Sequence, residues 1–224
     1  MMGLTWYQIT ELGNINVLGP VGLIIAIWLL CERRWRLAFD WCVLYGSGLF
    51  VVALTKFAFI GWGIGSQALD YTGLSGHAMR ATMVMPCLAY LLFYRARPSL
   101  KWLFTLLGLL LGGMVAYSRI QVHAHSWADI IGGSLFGLAL AAWFLYRVGH
   151  AQQFSYNFWL ASVSLFGFIS MPYAPPTRTH FFMTQLTLQI TGHPRPFVRE
   201  GWRYDPYYCV EPEPGRTTFC NHYP

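Results

Sequence analysis

Apolar stretches long enough to cross a membrane alternate with short polar connections along most of the chain. A helix needs about 20 mostly apolar residues to span the hydrocarbon core of a bilayer. Six stretches meet this requirement: 15–31, 37–61, 76–94, 100–118, 127–146 and 155–172. The pattern predicts an all-α membrane protein in which a bundle of six transmembrane helices forms one domain over residues 1–172.

The composition supports this class and excludes others. Of the 224 residues, 55% are hydrophobic and 11% are charged, whereas about 25% of the residues in a soluble globular domain are charged. The aromatic content of 17% and the mean hydropathy of +0.41 exclude a disordered chain and a nucleic-acid-binding chain. We therefore interpret the net charge of +6 as a signal of membrane orientation.

Basic residues follow every second predicted span. Because cytoplasmic loops carry an excess of Lys and Arg, both termini are predicted to lie outside and these basic residues inside: Arg33, Arg34, Arg36, Arg95, Arg97, Lys101 and Arg147. The first span has no basic residue before it and so lacks the charged start of a cleavable signal peptide. Residues 6–12 have two open interpretations, a short amphipathic helix at the outer interface or a frayed lead-in.

Residues 173–224 are predicted to form an irregular extramembrane tail on the periplasmic side. This segment is rich in proline, contains five arginines and has no further apolar run. An outside location is oxidising, so we expect a disulfide between Cys209 and Cys220. Closing this short loop is worth about 3 kcal/mol in the chain-entropy treatment.

Ionisable residues near the outer ends of the spans are the main functional signal. Such residues are costly in a membrane and are functional candidates by default. The predicted topology brings seven of them, from four spans, to one level of the bilayer: Lys56, His77, Arg80, Arg119, His123, His125 and Asp129. On a helix, residues four apart share a face, so the carboxylate of Asp129 can accept the imidazole N–H of His125. The other ring nitrogen is then free to act as a base or nucleophile.

This set of residues suits phosphoryl transfer. Lys56 and Arg119 would neutralise phosphate oxygens, and Ser75 with the backbone N–H groups at the start of the third span would add donors. One histidine would attack phosphorus and the other would protonate the leaving oxygen. The cations supply the electrostatic stabilisation, so no metal or other cofactor is required.

The residues resemble the motifs of the type 2 phosphatidic acid phosphatase superfamily. The third motif, S-R-x-x-x-x-x-H-x-x-x-D, is complete from Ser118-Arg119 through His125 to Asp129. The second, P-S-G-H, matches at three of four positions in the segment 74–77. The first, K-x-x-x-x-x-x-R-P, keeps Lys56 but has Gly63 and Ile64 where Arg-Pro is expected.

The resemblance implies a metal-independent lipid phosphatase. It assigns His125 as the nucleophile that forms a phosphohistidine, Asp129 as its orienting partner and His77 as the general acid. The implied phosphate-binding residues are Lys56, Ser75, Gly76 and Arg119, with Arg80 as the candidate substitute for the missing arginine and the tail residues Arg178 and Arg195 as alternatives.

The implied substrate is a phosphomonoester or pyrophosphate of a membrane lipid, of the undecaprenyl pyrophosphate, phosphatidate, phosphatidylglycerophosphate or lipid A type. The implied location is the bacterial inner membrane, with the active site on the periplasmic side of the phospholipid bilayer. Neither nucleic acid nor an obligatory protein partner is expected.

Three other interpretations stay open. His123 and His125 with Asp129 could ligate a metal, although Lys56 and Arg119 would repel the cation. Gly73-Leu74-Ser75-Gly76 also fits the G-x-S-G of rhomboid intramembrane proteases, with His125 as the distant base, but this leaves the arginine, lysine and aspartate unexplained. A catalytically inactive lipid-binding or transport protein is the third possibility, and His123 alone is best explained as a loop histidine.

Overall fold

The computed structural model describes residues 5–150 and 179–204 of the 224-residue chain. The predicted sixth span, Arg178 and the Cys209–Cys220 pair lie outside these residues. The helices are α1 Trp6–Glu11, α2 Ile15–Cys31, α3 Trp35–Trp62, α4 Gly76–Leu92, α5 Pro98–Gln121, α6 Trp127–Gly149 and α7 Thr179–Thr191, with 3₁₀ turns at Gln67–Leu69 and Glu200–Trp202 and a two-stranded antiparallel sheet of β1 Phe197–Val198 and β2 Arg203–Tyr204.

Four helical segments of the described chain are long and apolar enough to cross a membrane. They are Trp6–Cys31, which comprises α1 and α2, and the three long helices α3, α5 and α6. The chain is therefore a helical membrane protein, and the count of six spans stays a prediction. The predicted span over 76–94 is the 17-residue helix α4.

Helix α4 forms the centre of the bundle, and most of its side chains are buried. Glycines on α5 and α6 allow these helices to approach its backbone closely, as small residues do in membrane bundles. A Cβ atom at Gly112 would lie 2.7 Å from the carbonyl oxygen of Ala81, and one at Gly133 would lie 2.6 Å from that of Ser75. The second contact fixes the start of α6 against the start of α4.

The amino-terminal segment is a short capped helix, so residues 6–11 are helical as in the first interpretation, while a position at the outer interface stays a prediction. Thr5 and Gln8 form a reciprocal capping box at the start of α1. Trp6 packs edge-to-face on Tyr117 of α5, with ring centroids 5.6 Å apart. The corner between α1 and α2 is thereby held against α4 and α5.

Two of the three predicted basic segments meet at one end of the bundle. The end of α2, the start of α3 and the end of α6 line one cavity, and Asp40 accepts a 2.9 Å hydrogen bond from Arg147 beside it. The basic residues that line the cavity are Arg33, Arg34, Arg36, Arg147 and His150. We call this region the basic end.

The prediction of an irregular tail is wrong for residues 179–204, which contain α7 and the β1–β2 pair. The sequence hid α7 because polar threonines interrupt its apolar face. Thr187 and Thr191 donate to the carbonyl oxygens four residues earlier, at 2.7 and 2.8 Å. Their hydroxyls are thus satisfied within the helix, and their methyl groups lie close to Gly61 of α3.

Candidate active site

The candidate site lies at the end of the bundle opposite the basic end. Lys56 comes from the last two turns of α3, Ser75 caps α4, and Arg119 lies in the last turn of α5. His125 lies in the loop after α5, and Asp129 lies in the first turn of α6. The sequence-predicted residues therefore converge on one region, although they come from four different helices.

His125 and Asp129 form a buried pair. The imidazole Nδ1 lies 3.0 Å from the carboxylate Oδ2, and the exposed fractions of the two side chains are 9% and 0%. Ser126 fixes this geometry because it caps α6 and accepts a hydrogen bond from the Asp129 backbone N–H at 3.3 Å. With Nδ1–H donating to the carboxylate, the Nε2 atom carries the free lone pair.

The Asp129 carboxylate is surrounded by donors on both oxygens. Its Oδ1 accepts from the Thr72 backbone N–H at 2.9 Å, and its Oδ2 accepts from the Thr72 hydroxyl at 3.3 Å. Arg199 of the tail donates to Oδ2 from Nη2 at 2.6 Å. These contacts fix the carboxylate in the orientation in which it accepts the hydrogen bond of His125 Nδ1–H.

The loop between α3 and α4 ties the site together. Gly73 has a φ of +123° and lies against α3, where a Cβ atom would be 3.1 Å from the Lys56 backbone nitrogen. Glycine is the residue that adopts this conformation without strain. The next residues bond in opposite directions: Leu74 N–H donates to the Thr55 hydroxyl at 3.1 Å, and Ser75 N–H donates to the Asp129 carbonyl at 3.0 Å.

Ser75, Gly76 and His77 form the first turn of α4. The Ser75 side chain is buried and accepts from the Ala78 backbone N–H at 3.5 Å, so it acts as the helix cap. His77 lies within electrostatic range of Lys56, Arg119 and His125. The second motif thus places a second imidazole beside the His125 pair, at a helix N-terminus that favours anions.

Arg119 and Lys56 bring positive charge without a carboxylate partner. Within residues 5–150 and 179–204, neither side chain forms a salt bridge. Arg119 donates from Nη1 to the Thr10 hydroxyl at 3.0 Å, but its buried Nε has no acceptor in this part of the chain. A buried, unsatisfied guanidinium N–H is costly, and a phosphate oxygen would satisfy it.

His125 is neutral at ordinary pH. Burial lowers the pKa of its imidazole to about 4, and the nearby charges of Lys56 and Arg119 lower it further, while the hydrogen bond with Asp129 acts in the opposite direction. The ring is therefore in the form that has a nucleophilic lone pair.

Arg80 is oriented differently from the prediction. Its Nε and Nη2 donate to the Gly13 carbonyl oxygen at 3.2 and 3.0 Å, so two of its three nitrogens bind the α1–α2 corner. The guanidinium remains near His77. Its action on phosphate stays a prediction, and its observed contact is structural.

Sequence reasoning missed Arg199 and Thr72. Thr72 lies outside the three motifs, and Arg199 lies 70 residues after Asp129 in a tail that was predicted to be irregular. The tail arginines predicted as alternatives are Arg178 and Arg195, whereas the tail arginine that contacts Asp129 is Arg199. The deviation at Gly63 was the available signal, since it marked a missing guanidinium.

The alternative interpretations fit the geometry less well. The described residues contain no group of three His, Cys, Asp or Glu side chains arranged to hold a metal ion. His123 is exposed and has a φ of 53°, in keeping with a loop residue. The buried Ser75 hydroxyl caps α4, and the Nδ1 of His125 bonds to Asp129, so these two residues are not paired as a protease dyad.

Comparisons with known proteins agree with the motif assignment. The PAP2 superfamily matches residues 55–153, a range that contains every motif residue from Lys56 to Asp129. An uncharacterized 22.5 kDa protein in the cps region of Klebsiella pneumoniae is 37% identical over 143 residues, which cover 63% of this chain and 68% of that protein. No solved structure matches the chain.

Proposed function

This chain belongs to the PAP2 superfamily, a family of phosphatases, and from that premise we propose that it hydrolyses a phosphomonoester or pyrophosphate of a membrane lipid through a phosphohistidine. The observation that carries the proposal is the buried His125–Asp129 pair, 3.0 Å apart, beside Lys56 and Arg119, neither of which has a carboxylate partner among the described residues. This combination supplies a neutral nucleophile and a place for an anion.

In the first step, the Nε2 lone pair of His125 attacks phosphorus. The P–N bond forms as the bond from phosphorus to the leaving oxygen breaks, and the carboxylate of Asp129 stabilises the imidazolium that develops. His77 gives a proton to the leaving oxygen, so the lipid alcohol or lipid phosphate departs neutralised.

In the second step, water attacks the phosphohistidine. His77, now unprotonated, takes a proton from that water as the P–N bond breaks, and inorganic phosphate leaves with His125 restored. Both steps use the same two imidazoles: His77 changes from general acid to general base, and His125 changes from nucleophile to leaving group.

Charge stabilisation comes from the cations and the start of α4. Arg119 can direct its unsatisfied Nε–H at a phosphate oxygen, and Lys56 adds a second positive charge from α3. Gly76 and His77 begin α4, and the backbone N–H groups of a helix N-terminus add further donors for an anion. Such preorganised donors are worth about 10²- to 10³-fold each in other acyl- and phosphoryl-transfer sites.

A site at helix ends suits a lipid substrate. The headgroup of a lipid lies at the interface while its chains remain in the bilayer, so the enzyme can reach phosphorus without extracting the lipid. The basic end, which contains Arg33, Arg36 and Arg147, is proposed to face the cytoplasm. The active site then faces the periplasm, across the inner membrane.

The test is phosphate release from a panel of lipid phosphates in detergent micelles. Undecaprenyl pyrophosphate, phosphatidate, phosphatidylglycerophosphate and a lipid A phosphate form the panel, since no residue of the site selects among them. We expect wild-type protein to release phosphate from at least one of these lipids in the presence of a chelator. We expect His125→Ala to release none.

The matched control is His123→Asn, two residues away in the same loop. Asparagine tolerates the positive φ of this position, and the exposed His123 makes no contact with the site among the described residues. Rapid acid-free quenching with a ³²P-labelled substrate should label wild type and His123→Asn but not His125→Ala. A wild-type protein that binds these lipids without releasing phosphate would refute the proposal in favour of a binding protein.

A further inference from the structure

Arg199 joins the tail to the centre of the site through three contacts. Its Nη1 donates to Asp70 Oδ2 at 2.7 Å, and its Nη2 donates to the Thr72 hydroxyl at 2.7 Å and to Asp129 Oδ2 at 2.6 Å. Asp129 is fully buried, whereas the Arg199 side chain is 32% exposed. The guanidinium thus lies across the mouth of the site, between the α3–α4 loop and the start of α6.

The tail reaches this position because it docks on the end of α3. His193 Nδ1–H donates to the Gly61 carbonyl at 2.8 Å, and Trp202 Nε1–H donates to the Gly63 carbonyl at 3.2 Å. The ring of Trp202 also packs edge-to-face on Phe59, with centroids 5.0 Å apart. These contacts lie on both sides of Arg199 in the sequence, so they position its backbone independently of its own ion pairs.

Gly63 makes the docking possible. It ends α3 in the left-handed conformation, with a φ of +66°, and a Cβ atom there would lie 2.6 Å from the ring of Phe197. Phe197 begins β1, two residues before Arg199. The position at which the first motif departs from the family pattern is therefore the position against which the tail packs to deliver an arginine.

We propose that Arg199 is a positioning residue of the catalytic pair, which acts on His125 through the shared carboxylate oxygen of Asp129. The proposal rests on the function proposed above. Oδ2 accepts from His125 Nδ1 and from Arg199 Nη2 at the same time. The guanidinium holds the carboxylate in place and takes part of its hydrogen-bonding capacity, and this limits how strongly Asp129 draws His125 toward the protonated form.

In the part of the chain that the structure describes, the charged groups around His125 come from four helices and the tail. They are Lys56 on α3, His77 on α4, Arg119 on α5, Asp129 on α6 and, behind Asp129, Arg199 of the tail. Asp129 is the one acid among these groups, and it alone favours the imidazolium. Removing Arg199 leaves the carboxylate to His125 and Thr72, so His125 should become easier to protonate.

The experiment compares Arg199→Gln, Arg199→Lys and Arg203→Gln with wild type in full-length protein, using the lipid phosphate that wild type hydrolyses best. Arg203 is the matched control, because it lies in the same segment, is exposed and makes no ion pair with the site among the described residues. The measurements are kcat, KM and the acid limb of the kcat/KM profile.

For Arg199→Gln we expect kcat to fall by about 10- to 100-fold, as for other residues that orient a reacting group, with a smaller change in KM. We also expect the acid limb to move up by about one pH unit. Arg199→Lys keeps the charge and should restore the wild-type position of the limb, while Arg203→Gln should behave as wild type. An unchanged acid limb in Arg199→Gln would overturn the proposal, and so would equal losses in Arg199→Gln and Arg203→Gln.

A readout that does not depend on turnover separates this proposal from the proposed function. Diethyl pyrocarbonate reacts with neutral imidazole, so the pH dependence of His125 modification, followed by mass spectrometry, reports its protonation. We expect the midpoint to be higher in Arg199→Gln than in wild type. If wild type has no phosphatase activity but the midpoint is higher in Arg199→Gln, the proposed function is refuted and the positioning role is kept. If wild type is active but the two midpoints are equal, the proposed function is kept and the positioning role is refuted.

Discussion

Asp129→Asn is the substitution that tests the catalytic pair most directly, because the amide keeps the shape of the carboxylate while it replaces one acceptor by a donor. In the protein, Oδ1 faces the Thr72 N–H at 2.9 Å, and Oδ2 faces both His125 at 3.0 Å and Arg199 at 2.6 Å. Either orientation of the amide therefore directs its NH₂ group at a donor.

The magnitude follows from these contacts. With the NH₂ group toward His125, Nδ1 must become the acceptor, and the proton moves to Nε2 and blocks the attacking lone pair. With the NH₂ group toward Thr72, the amide N–H and the backbone N–H of Thr72 are two donors that face each other in a buried site, at a cost of about 1–3 kcal/mol. In the first orientation the NH₂ group also faces Arg199, but this side chain is 32% exposed and can turn away, whereas the backbone N–H of Thr72 cannot, so the first orientation is favoured. It resembles the wrong-tautomer effect in catalytic triads, so we expect kcat to fall about 10³- to 10⁴-fold, which is about 4–5 kcal/mol in activation free energy.

The assay is phosphate release under saturating lipid phosphate, with thermal unfolding measured in parallel. Asp40→Asn is the matched control, because Asp40 also pairs with an arginine, Arg147 at 2.9 Å, but does so at the basic end. A partly exposed pair of this kind contributes about 0–1 kcal/mol, so activity should stay near wild type. An Asp129→Asn protein that is folded and keeps more than a tenth of wild-type kcat would refute the tautomer argument.

Three further predictions concern charge, pH and packing. Arg119→Ala should lower kcat/KM by about 10²- to 10³-fold, because it removes a buried Nε–H that has no acceptor among the described residues. The control is Arg95→Ala, which should have little effect because Arg95 is exposed and follows the end of α4, far from the site. Comparable losses in both variants would contradict the assignment of Arg119 to phosphate binding. The pKa of His125 is lowered to about 4, so the attacking imidazole stays neutral as the pH falls through 6.5. The acid limb that it causes in the kcat/KM profile should therefore lie near pH 4 with two different lipid substrates. An acid limb near pH 6.5 with both substrates would contradict the lowered pKa of His125. Gly133→Ala should lower the free energy of unfolding by about 1–3 kcal/mol, because its Cβ would lie 2.6 Å from the Ser75 carbonyl oxygen. The control is Gly113→Ala, which should leave Tm unchanged or raise it because a Cβ there would have nothing within 4 Å. Equal Tm values for the two variants would contradict the close approach of α6 to α4.

The parts of the site that the sequence predicted are those fixed by local spacing. His125 and Asp129 are four residues apart, and this spacing predicted their pairing, although His125 lies just before the Ser126 cap and outside α6. The convergence of Lys56, His77 and Arg119 with them followed from alternating span direction. Each of these inferences needed no knowledge of how distant segments pack.

The parts that the sequence missed depend on tertiary contacts. Arg80 projects from the same helix as His77, but its nitrogens bind the Gly13 carbonyl, a contact 67 residues away in the chain. Likewise, α7 was hidden because its threonine hydroxyls are satisfied within the helix. Arg199 could not be chosen among the tail arginines until the docking of Phe197 and Trp202 on α3 was known.

Gly63 also limits which versions of this site are compatible with each other. An arginine side chain at this position and the aromatic ring of Phe197 would occupy the same space. Substituting the family residue at position 63 would therefore displace the tail segment that contains Arg199. The site can therefore have an arginine at position 63, at the end of α3, or Arg199 from the tail, but not both. A single Gly63→Arg exchange is therefore expected to be harmful, and a search for its suppressors should return changes in residues 193–204.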